Sequence, residues 1–133
     1  MSRPYMFGTV TLDTAVDKTI TTAIQVPQWA RYGMVYLPSL TDGAISMQMC
    51  MAEDIVAGDT AGDLAASDDT YWAGVANTSE STQIAGSGAL ETSWVDISDY
   101  IQALPKDCYI RFVSATTQTG GSALTFKVVF RGA

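Results

Sequence analysis

The sequence predicts an all-β protein with an antiparallel β-sandwich, jelly-roll-like fold of roughly eight short strands. The main observation is that apolar and polar residues alternate with a period of two in several separate segments. Short stretches rich in Gly, Pro, Ser and Thr divide these segments, as turns divide strands. No segment shows the apolar period of a long helix, so strands are expected to form the core.

The clearest alternation lies near the C-terminus, in the segment LTFKVVFR. Its apolar face comprises four residues: Leu124, Phe126, Val128 and Phe130. The opposite face includes Lys127 and Arg131, and the preceding segment YIRFVS likewise places Ile110 and Phe112 on one face. Both segments are therefore predicted to be half-buried strands. The loop between them, ATTQTGGSA, is too long for a two-residue hairpin.

Segments further upstream show the same strand signals. In AISMQMCMA, Ile45 and three methionines share one face, and Cys50 lies on the other. Further strands are predicted in GTVTL, TITTAIQVP, RYGMVYL, TYWAGVA and ETSWVDIS. The segment DISDYIQAL is predicted to form one helical turn, with Ser98 or Asp99 as its N-cap and Pro105 as its stop.

The 133 residues have the length of one domain. We expect an N-terminal arm at residues 1–8 and a single β-sandwich at residues 9–133, with an acidic surface excursion at residues 53–70. The net charge is −7, and no Lys or Arg lies between Glu53 and Asp99. Such a segment repels phosphate, so no nucleic-acid partner is expected. No apolar run has the ~18 residues that span a bilayer and the N-terminus lacks a signal-peptide stretch, so we expect no membrane partner and synthesis in a cytoplasm.

The composition argues against an enzyme. The sequence contains no histidine, which excludes Ser-His-Asp and Cys-His catalytic arrangements. Two carboxylate pairs, Asp96 with Asp99 and Glu53 with Asp54, have the residue types of a glycosidase, but such pairs are interpreted as strand-edge and loop charges. We therefore expect no catalytic residue and no cofactor.

Metal and disulfide sites are also not expected. Four carboxylates of the acidic excursion have the oxygen ligands that calcium prefers: Asp59, Asp63, Asp68 and Asp69. They lack the spacing of a calcium-binding loop, so a solvated loop is favoured and whether it holds a cation stays open. Cys50 and Cys108 are too few for a disulfide framework; we interpret them as buried thiols and leave their pairing open.

The aromatic residues allow two interpretations. Trp29, Trp72 and Trp94, together with six tyrosines, have the composition of a sugar-stacking platform. Aromatic residues lie more often in a sandwich core or at a protein interface, which is the interpretation that we favour.

Three segments occur in an order that resembles a group of small structural proteins of tailed phages: IQVPQWARYGMVYLPS, ISMQMCMAED and YIRFVSATTQTGGSALTFKVVFRG. The resemblance extends from Thr9 to Gly132. It depends on the strand order, on Pro38 closing the third strand, and on IRFVSATT before the last strand. The chain departs from this group in its acidic excursion after Ala52 and in its methionine-rich strand.

The resemblance implies a non-enzymatic virion protein, namely a capsid decoration or cement protein that binds and stabilises a phage head shell. The implied partners are the major capsid protein or other virion proteins and further copies of the chain, with a trimer as one option. The expected interface residues are Arg3, Tyr5, Met6 and Phe7 in the arm, with Trp29 and Tyr32 near a strand entry. The alternatives are a tail, neck or fibre-base component, or a carbohydrate-binding module that uses surface tryptophans.

Overall fold

The computed structural model describes residues 4–12, 20–41, 43–52, 72–75, 84–85, 88–89, 91–105, 107–114, 118 and 124–133. Within these residues the chain forms eight strands and one short helix. The strands are β1 (Tyr5–Leu12), β2 (Ile24–Gln25), β3 (Tyr32–Leu37), β4 (Ile45–Met51), β5 (Ala73–Gly74), β6 (Ser93–Asp96), β7 (Cys108–Ser114) and β8 (Leu124–Arg131). The helix α1 (Ser98–Ala103) lies between β6 and β7.

The strands form two four-stranded sheets. Sheet A has the order β1-β8-β3-β6 and sheet B has the order β2-β7-β4-β5, and all pairings are antiparallel. The pairs are nested, since β1 lies beside β8, β2 beside β7, β3 beside β6 and β4 beside β5. This is the pattern of one long antiparallel hairpin rolled into two layers, which defines a jelly roll. The predicted all-β sandwich is confirmed.

The core lies between the two sheets, where their inward-facing residues meet. In β8 the alternation predicted from the sequence is confirmed, because Phe126, Val128 and Phe130 are completely buried. Residues Ile110 and Phe112 of β7 contact the same core cluster from the other sheet. Phe112 and Phe126 meet across the layers with ring centroids 5.8 Å apart. Apolar burial of this kind is the main stabilising term in a sandwich.

The two cysteines are buried on opposite faces of sheet B. Cys108 belongs to the inter-sheet core, together with Met47 of β4. Cys50 faces away from that core and packs with Ala23 and Trp72. The prediction that Cys50 and the methionines occupy different layers is therefore confirmed.

The outer face of sheet B carries a buried cation. Arg111 is 1% exposed, and its Nε donates a hydrogen bond of 2.9 Å to Oε1 of Gln48. Its guanidinium carbon lies 4.3 Å from the centroid of the Trp72 ring, close enough for a cation-π interaction. Trp72 thus covers Arg111 and is itself buried.

The helix α1 packs on the end of β3, and its capping differs from the prediction. The N-cap is Ile97, which makes no side-chain capping hydrogen bond, so the assignment of Ser98 or Asp99 as the N-cap was wrong. Oδ1 of Asp96 accepts a hydrogen bond of 2.9 Å from the amide of Ser98, the first residue of the helix. Ser98 instead connects the helix to β3, because its hydroxyl accepts a hydrogen bond of 3.2 Å from the amide of Gly33. The helix ends at Ala103, shortly before Pro105, as predicted.

The first strand begins earlier than the sequence suggested. Residues 5–8, which were assigned to an N-terminal arm, lie in β1, where Tyr5 pairs with Arg131. The carbonyl of Pro4 continues this ladder by accepting a hydrogen bond of 2.9 Å from the amide of Gly132. The proposed excursion at residues 53–70 lies outside the described residues. In the described part of the chain, no helix is long and apolar enough to cross a membrane.

Substituting Gly33 tests the contact between β3 and α1. A Cβ atom at position 33 would lie 2.9 Å from Cγ1 of Ile101 and 3.1 Å from Cγ1 of Ile97. We expect Gly33→Ala to lower the free energy of unfolding by about 1–3 kcal/mol in urea denaturation, because overpacking displaces the helix. The double variant Gly33→Ala with Ile101→Ala should lose less free energy of unfolding than the sum of the losses in the two single variants. Additive losses would contradict this explanation.

The Cys108 thiol should make stability depend on alkaline pH. Burial raises the pKa of Cys108 from 9.0 to about 11. Below pH 9 the thiol is neutral in both folded and unfolded chains, so it adds no pH dependence. Between pH 9 and 11 only the unfolded chain loses the proton, so stability falls as pH rises.

Comparing urea denaturation at about pH 8 and about pH 10.5 isolates this effect. Between these two pH values, the decrease (the loss) in the free energy of unfolding should be about 1–2 kcal/mol smaller in Cys108→Ala than in the wild type. Ile110→Val, a core substitution that involves no ionisable group, serves as the control and should keep the wild-type loss. The same loss in all three proteins would show that Cys108 does not cause it.

Candidate functional site

The outer face of sheet A carries aromatic side chains from three of its four strands. The register aligns Tyr5, Arg131 and Tyr32 in one row across β1, β8 and β3. The next row contains Phe7, Val129, Met34 and Asp96, and a third contains Thr9, Lys127, Tyr36 and Trp94. Because side chains opposite each other in neighbouring strands are about 5 Å apart at Cβ, each row is a line of contacting side chains. We call this surface the aromatic face.

Exposure distinguishes the aromatic face from an ordinary sheet surface. Tyr5 is 62% exposed, Phe7 50%, Tyr32 46% and Trp94 50%. Among the described residues, these four and Trp29 are the large hydrophobic side chains with such exposure. Exposed apolar side chains that are contiguous mark a binding surface more often than isolated ones do.

The side of the face near β6 is held by ring contacts. The rings of Tyr36 and Trp94 meet edge to face, with centroids 5.3 Å apart. Nζ of Lys127 lies 5.0 Å from the centroid of the Tyr36 ring. The Tyr36 ring thus contacts Trp94 on one side and Lys127 on the other, while half of the Trp94 surface stays exposed. The indole is therefore oriented before any partner arrives.

A groove of about 690 Å³ crosses the face from β1 to β6. Met34 and Val129 line its centre, Pro4 and Tyr5 line one end, and Trp94 lines the other. Arg131 also lines the groove and supplies a guanidinium that can donate several hydrogen bonds. The groove can therefore accept an apolar group together with an acidic or hydroxyl-rich one.

The charge of the face is opposite in sign to that of the chain. Lys127 and Arg131 both lie on exposed positions of β8, whereas the whole chain has a net charge of −7. The acidic residue of the face is Asp96, at its β6 edge. Two hydrogen bonds from Ser98 lower the pKa of Asp96, the larger contribution coming from the side chain and the smaller one from the amide. The face as a whole favours an acidic partner.

The structure brings together three of the six residues expected at an interface. Tyr5, Phe7 and Tyr32 share the aromatic face. Trp29 is exposed and lies in the turn from Pro27 to Ala30, shortly before β3 begins. Met6 points to the opposite side of β1, where it packs against the core. Arg3 lies outside the described residues.

The sequence interpretation missed most of the central part of the face. Met34, Tyr36, Val129 and Trp94 were not selected as interface residues. The alternation in LTFKVVFR did separate Lys127, Val129 and Arg131 from the buried phenylalanines. The missing information was which strands lie beside β8, because β1 and β3 are distant from it in sequence.

The three tryptophans do not form one platform. Trp94 lies on the aromatic face of sheet A, whereas Trp72 is buried against Arg111 on sheet B. Trp72 is 8% exposed, so it cannot act as a surface ligand for a sugar. A stacking surface on this protein would instead combine Trp94 with the tyrosines of the same face.

The other candidate sites add little chemistry. Asp96 ends β6, and Asp99 lies in the first turn of α1. The residues Glu53, Asp54, Asp59, Asp63, Asp68 and Asp69 lie outside the described part of the chain. Among the residues that are described, no group of three or more His, Cys, Asp or Glu side chains could hold a metal ion.

Comparisons with known proteins identify no family for this chain. A scan against models of protein families gave no match. A search of curated proteins found no significantly similar sequence. The aromatic face, with its groove and its two cations, is therefore the feature from which a function has to be argued.

Proposed function

We propose that this chain is a non-enzymatic virion structural protein, a capsid decoration or cement protein that binds the head shell of a tailed phage and stabilises it. It would be made in the host cytoplasm, bind the major capsid protein or a neighbouring virion protein, and act as a homo-oligomer. The single observation that carries this proposal is the aromatic face of sheet A.

The physical argument begins with exposed area. Tyr5, Phe7, Tyr32 and Trp94 are each about half exposed and lie on one face. Covering the exposed half of such a side chain stabilises a complex by about 1 kcal/mol. Several of them together provide the clustered aromatic contacts that dominate many protein interfaces. The face is thus suited to bind a broad protein surface.

Charge adds a preference for the kind of partner. Lys127 and Arg131 lie in the middle of the face, so a partner that offers carboxylates there gains steering and orientation. The strongly acidic chain would repel a partner that is acidic everywhere. A shell surface with apolar patches and local carboxylates meets both conditions.

The topology is compatible with this role. Jelly rolls occur in viral capsid proteins and also in lectins. Because one fold supports unrelated functions, the strand order alone does not select between them. The resemblance to small phage proteins favours the virion, and a tail, neck or fibre-base location is the alternative within the same class.

Binding to shells that lack the protein tests the proposal. Purified wild-type chain, added back to such shells, should bind in numbers comparable to the major capsid protein, as counted by quantitative mass spectrometry. The double variant Tyr5→Ser with Trp94→Ser should bind at least about tenfold more weakly, because it removes two exposed rings. Gln25→Ser, an exposed substitution on sheet B, is the control and should bind like the wild type.

Two results would contradict the proposal. A handful of copies per particle would assign the chain to the neck or tail instead of the shell. Equal binding by the wild type and the double variant would show that the aromatic face is not the docking surface.

The groove supports a second candidate, a carbohydrate-binding module. The groove is lined by an exposed indole at one end and by a guanidinium nearer the other, groups suited to stack on a sugar ring and to bind hydroxyl or carboxylate groups of a saccharide. We expect host polysaccharide to change the tryptophan fluorescence of the wild type if this candidate is right. Trp94→Phe should lose most of that change, whereas Trp29→Phe should keep it. No fluorescence change with any host polysaccharide would exclude this candidate.

A further inference from the structure

The four edges of the two sheets differ greatly in length and charge. In the described residues, β2 and β5 have two residues each and β6 has four, one of which is Asp96. The remaining edge strand, β1, has eight residues with the sequence YMFGTVTL and carries no charge. Edge strands are usually protected from pairing by shortness, charged side chains, proline or bulges. Within Tyr5–Leu12 the strand β1 has none of these features.

Hydrogen bonds at both ends of β1 show which backbone groups point outward. The carbonyl of Pro4 faces β8, since it accepts a hydrogen bond from Gly132. Thr11 faces the opposite way, because its amide donates to Oγ1 of Thr22 and its carbonyl accepts from the amide of Thr22, both at 2.9 Å. Consecutive residues of a strand alternate in direction. The amides and carbonyls of Tyr5, Phe7 and Thr9 therefore point away from β8.

These outward groups have no protein partner among the residues that the structure describes. Thr22 covers the edge at Thr11, and the described backbone hydrogen bonds continue no further toward Tyr5. The side chains of Tyr5, Phe7 and Thr9 are all exposed. This half of β1 thus presents three donors, three acceptors and two aromatic rings to another strand.

We propose that this edge pairs with β1 of a second copy of the chain, antiparallel and about a two-fold axis beside Phe7. Phe7 then lies opposite Phe7 of the second copy, and Tyr5 lies opposite Thr9. The pairing forms about six backbone hydrogen bonds: two between the Phe7 residues and two in each of the two symmetry-related Tyr5–Thr9 pairs. The pairing between the two copies ends before Thr11, because Thr22 of the same chain already forms hydrogen bonds with its amide and carbonyl.

The side chains favour a second copy over an unrelated strand. On the outer face the axis brings two exposed phenylalanines together, which is a favourable cross-strand pair. On the inner face Met6 lies opposite Gly8 of the second copy, so a long side chain meets a position without one. No charge lies on either strand, so the two acidic chains meet where repulsion is smallest.

This arrangement also determines the symmetry of the assembly. The two copies of sheet A become one continuous sheet, and the two aromatic faces lie side by side on it. An isologous contact of this kind closes as a dimer, so the basic unit is two-fold and not a trimer. The inference concerns the free protein and does not depend on what the aromatic face binds.

Light scattering coupled to size exclusion tests the pairing. The wild type should have twice the 14.2 kDa mass of one chain. Phe7→Lys and Phe7→Glu should each have the mass of a monomer, because the axis sets two equal charges against each other. An equimolar mixture of the two variants should regain the dimer mass, because the introduced lysine of one chain then faces the introduced glutamate of the other.

A matched control is available on the opposite edge. Trp94 is as exposed as Phe7 and lies on β6, so Trp94→Lys should remain a dimer. Circular dichroism verifies that the Phe7 variants are folded. If they are not, Thr9→Pro, which removes an outward amide that makes no hydrogen bond within the described part of the chain, should give the same loss of the dimer.

Several results would overturn the inference. A monomeric or trimeric wild type would exclude the two-fold pairing. Folded Phe7→Lys or Thr9→Pro protein that remains a dimer would place the contact elsewhere. A mixture of the Phe7→Lys and Phe7→Glu variants that stays monomeric would exclude the register in which Phe7 faces its own copy.

Discussion

The structure depends on the strand β8, which is hydrogen-bonded to β1 on one side and to β3 on the other. Its alternate residues belong to two different environments. Phe126, Val128 and Phe130 fill the core, and the residues between them lie on the outside. A shift of one residue in register would exchange these two sets, so burial of the phenylalanines also determines that Lys127 and Arg131 lie on the aromatic face. The binding surface is in this sense a consequence of core packing.

The sequence predicted the fold class well because the period of two is a local property. The alternation in β4, β7 and β8 requires only neighbouring residues to be visible. The start of β1 was missed because residues 5–7 are all apolar and follow Pro4, so no alternation marks them as a strand, and Gly8 after them occupies an inward position without a side chain. A Cβ atom there would lie 2.5 Å from Cδ1 of Ile24, so the space is already filled from β2. The interruption of the pattern made residues 5–8 resemble an arm.

The candidate site could be predicted only in part, because its residues come from strands that are far apart in sequence. Alternation indicates the side of a strand on which a residue lies, but it does not indicate the neighbouring strand. Tyr36 and Trp94 meet because β3 pairs with β6 across more than fifty residues of chain. The burial of Trp72 agrees with the favoured interpretation of the aromatic residues, but its contact with Arg111 could not be predicted, since Arg111 lies on a strand that a local pattern cannot associate with Trp72.

The nested order of the strands has a consequence for how the chain acquires its structure during synthesis. The strand β8 lies between β1 and β3 but leaves the ribosome after both of them. Until β8 emerges, β1 and β3 lack the strand that is hydrogen-bonded to both of them, so sheet A cannot form. Sheet A can therefore be completed only after β8 has left the ribosome, and its formation is slow because its central contacts join residues that are distant in sequence. During that interval β1 lacks its partner strand, and its uncharged backbone edges are open to pairing with other chains.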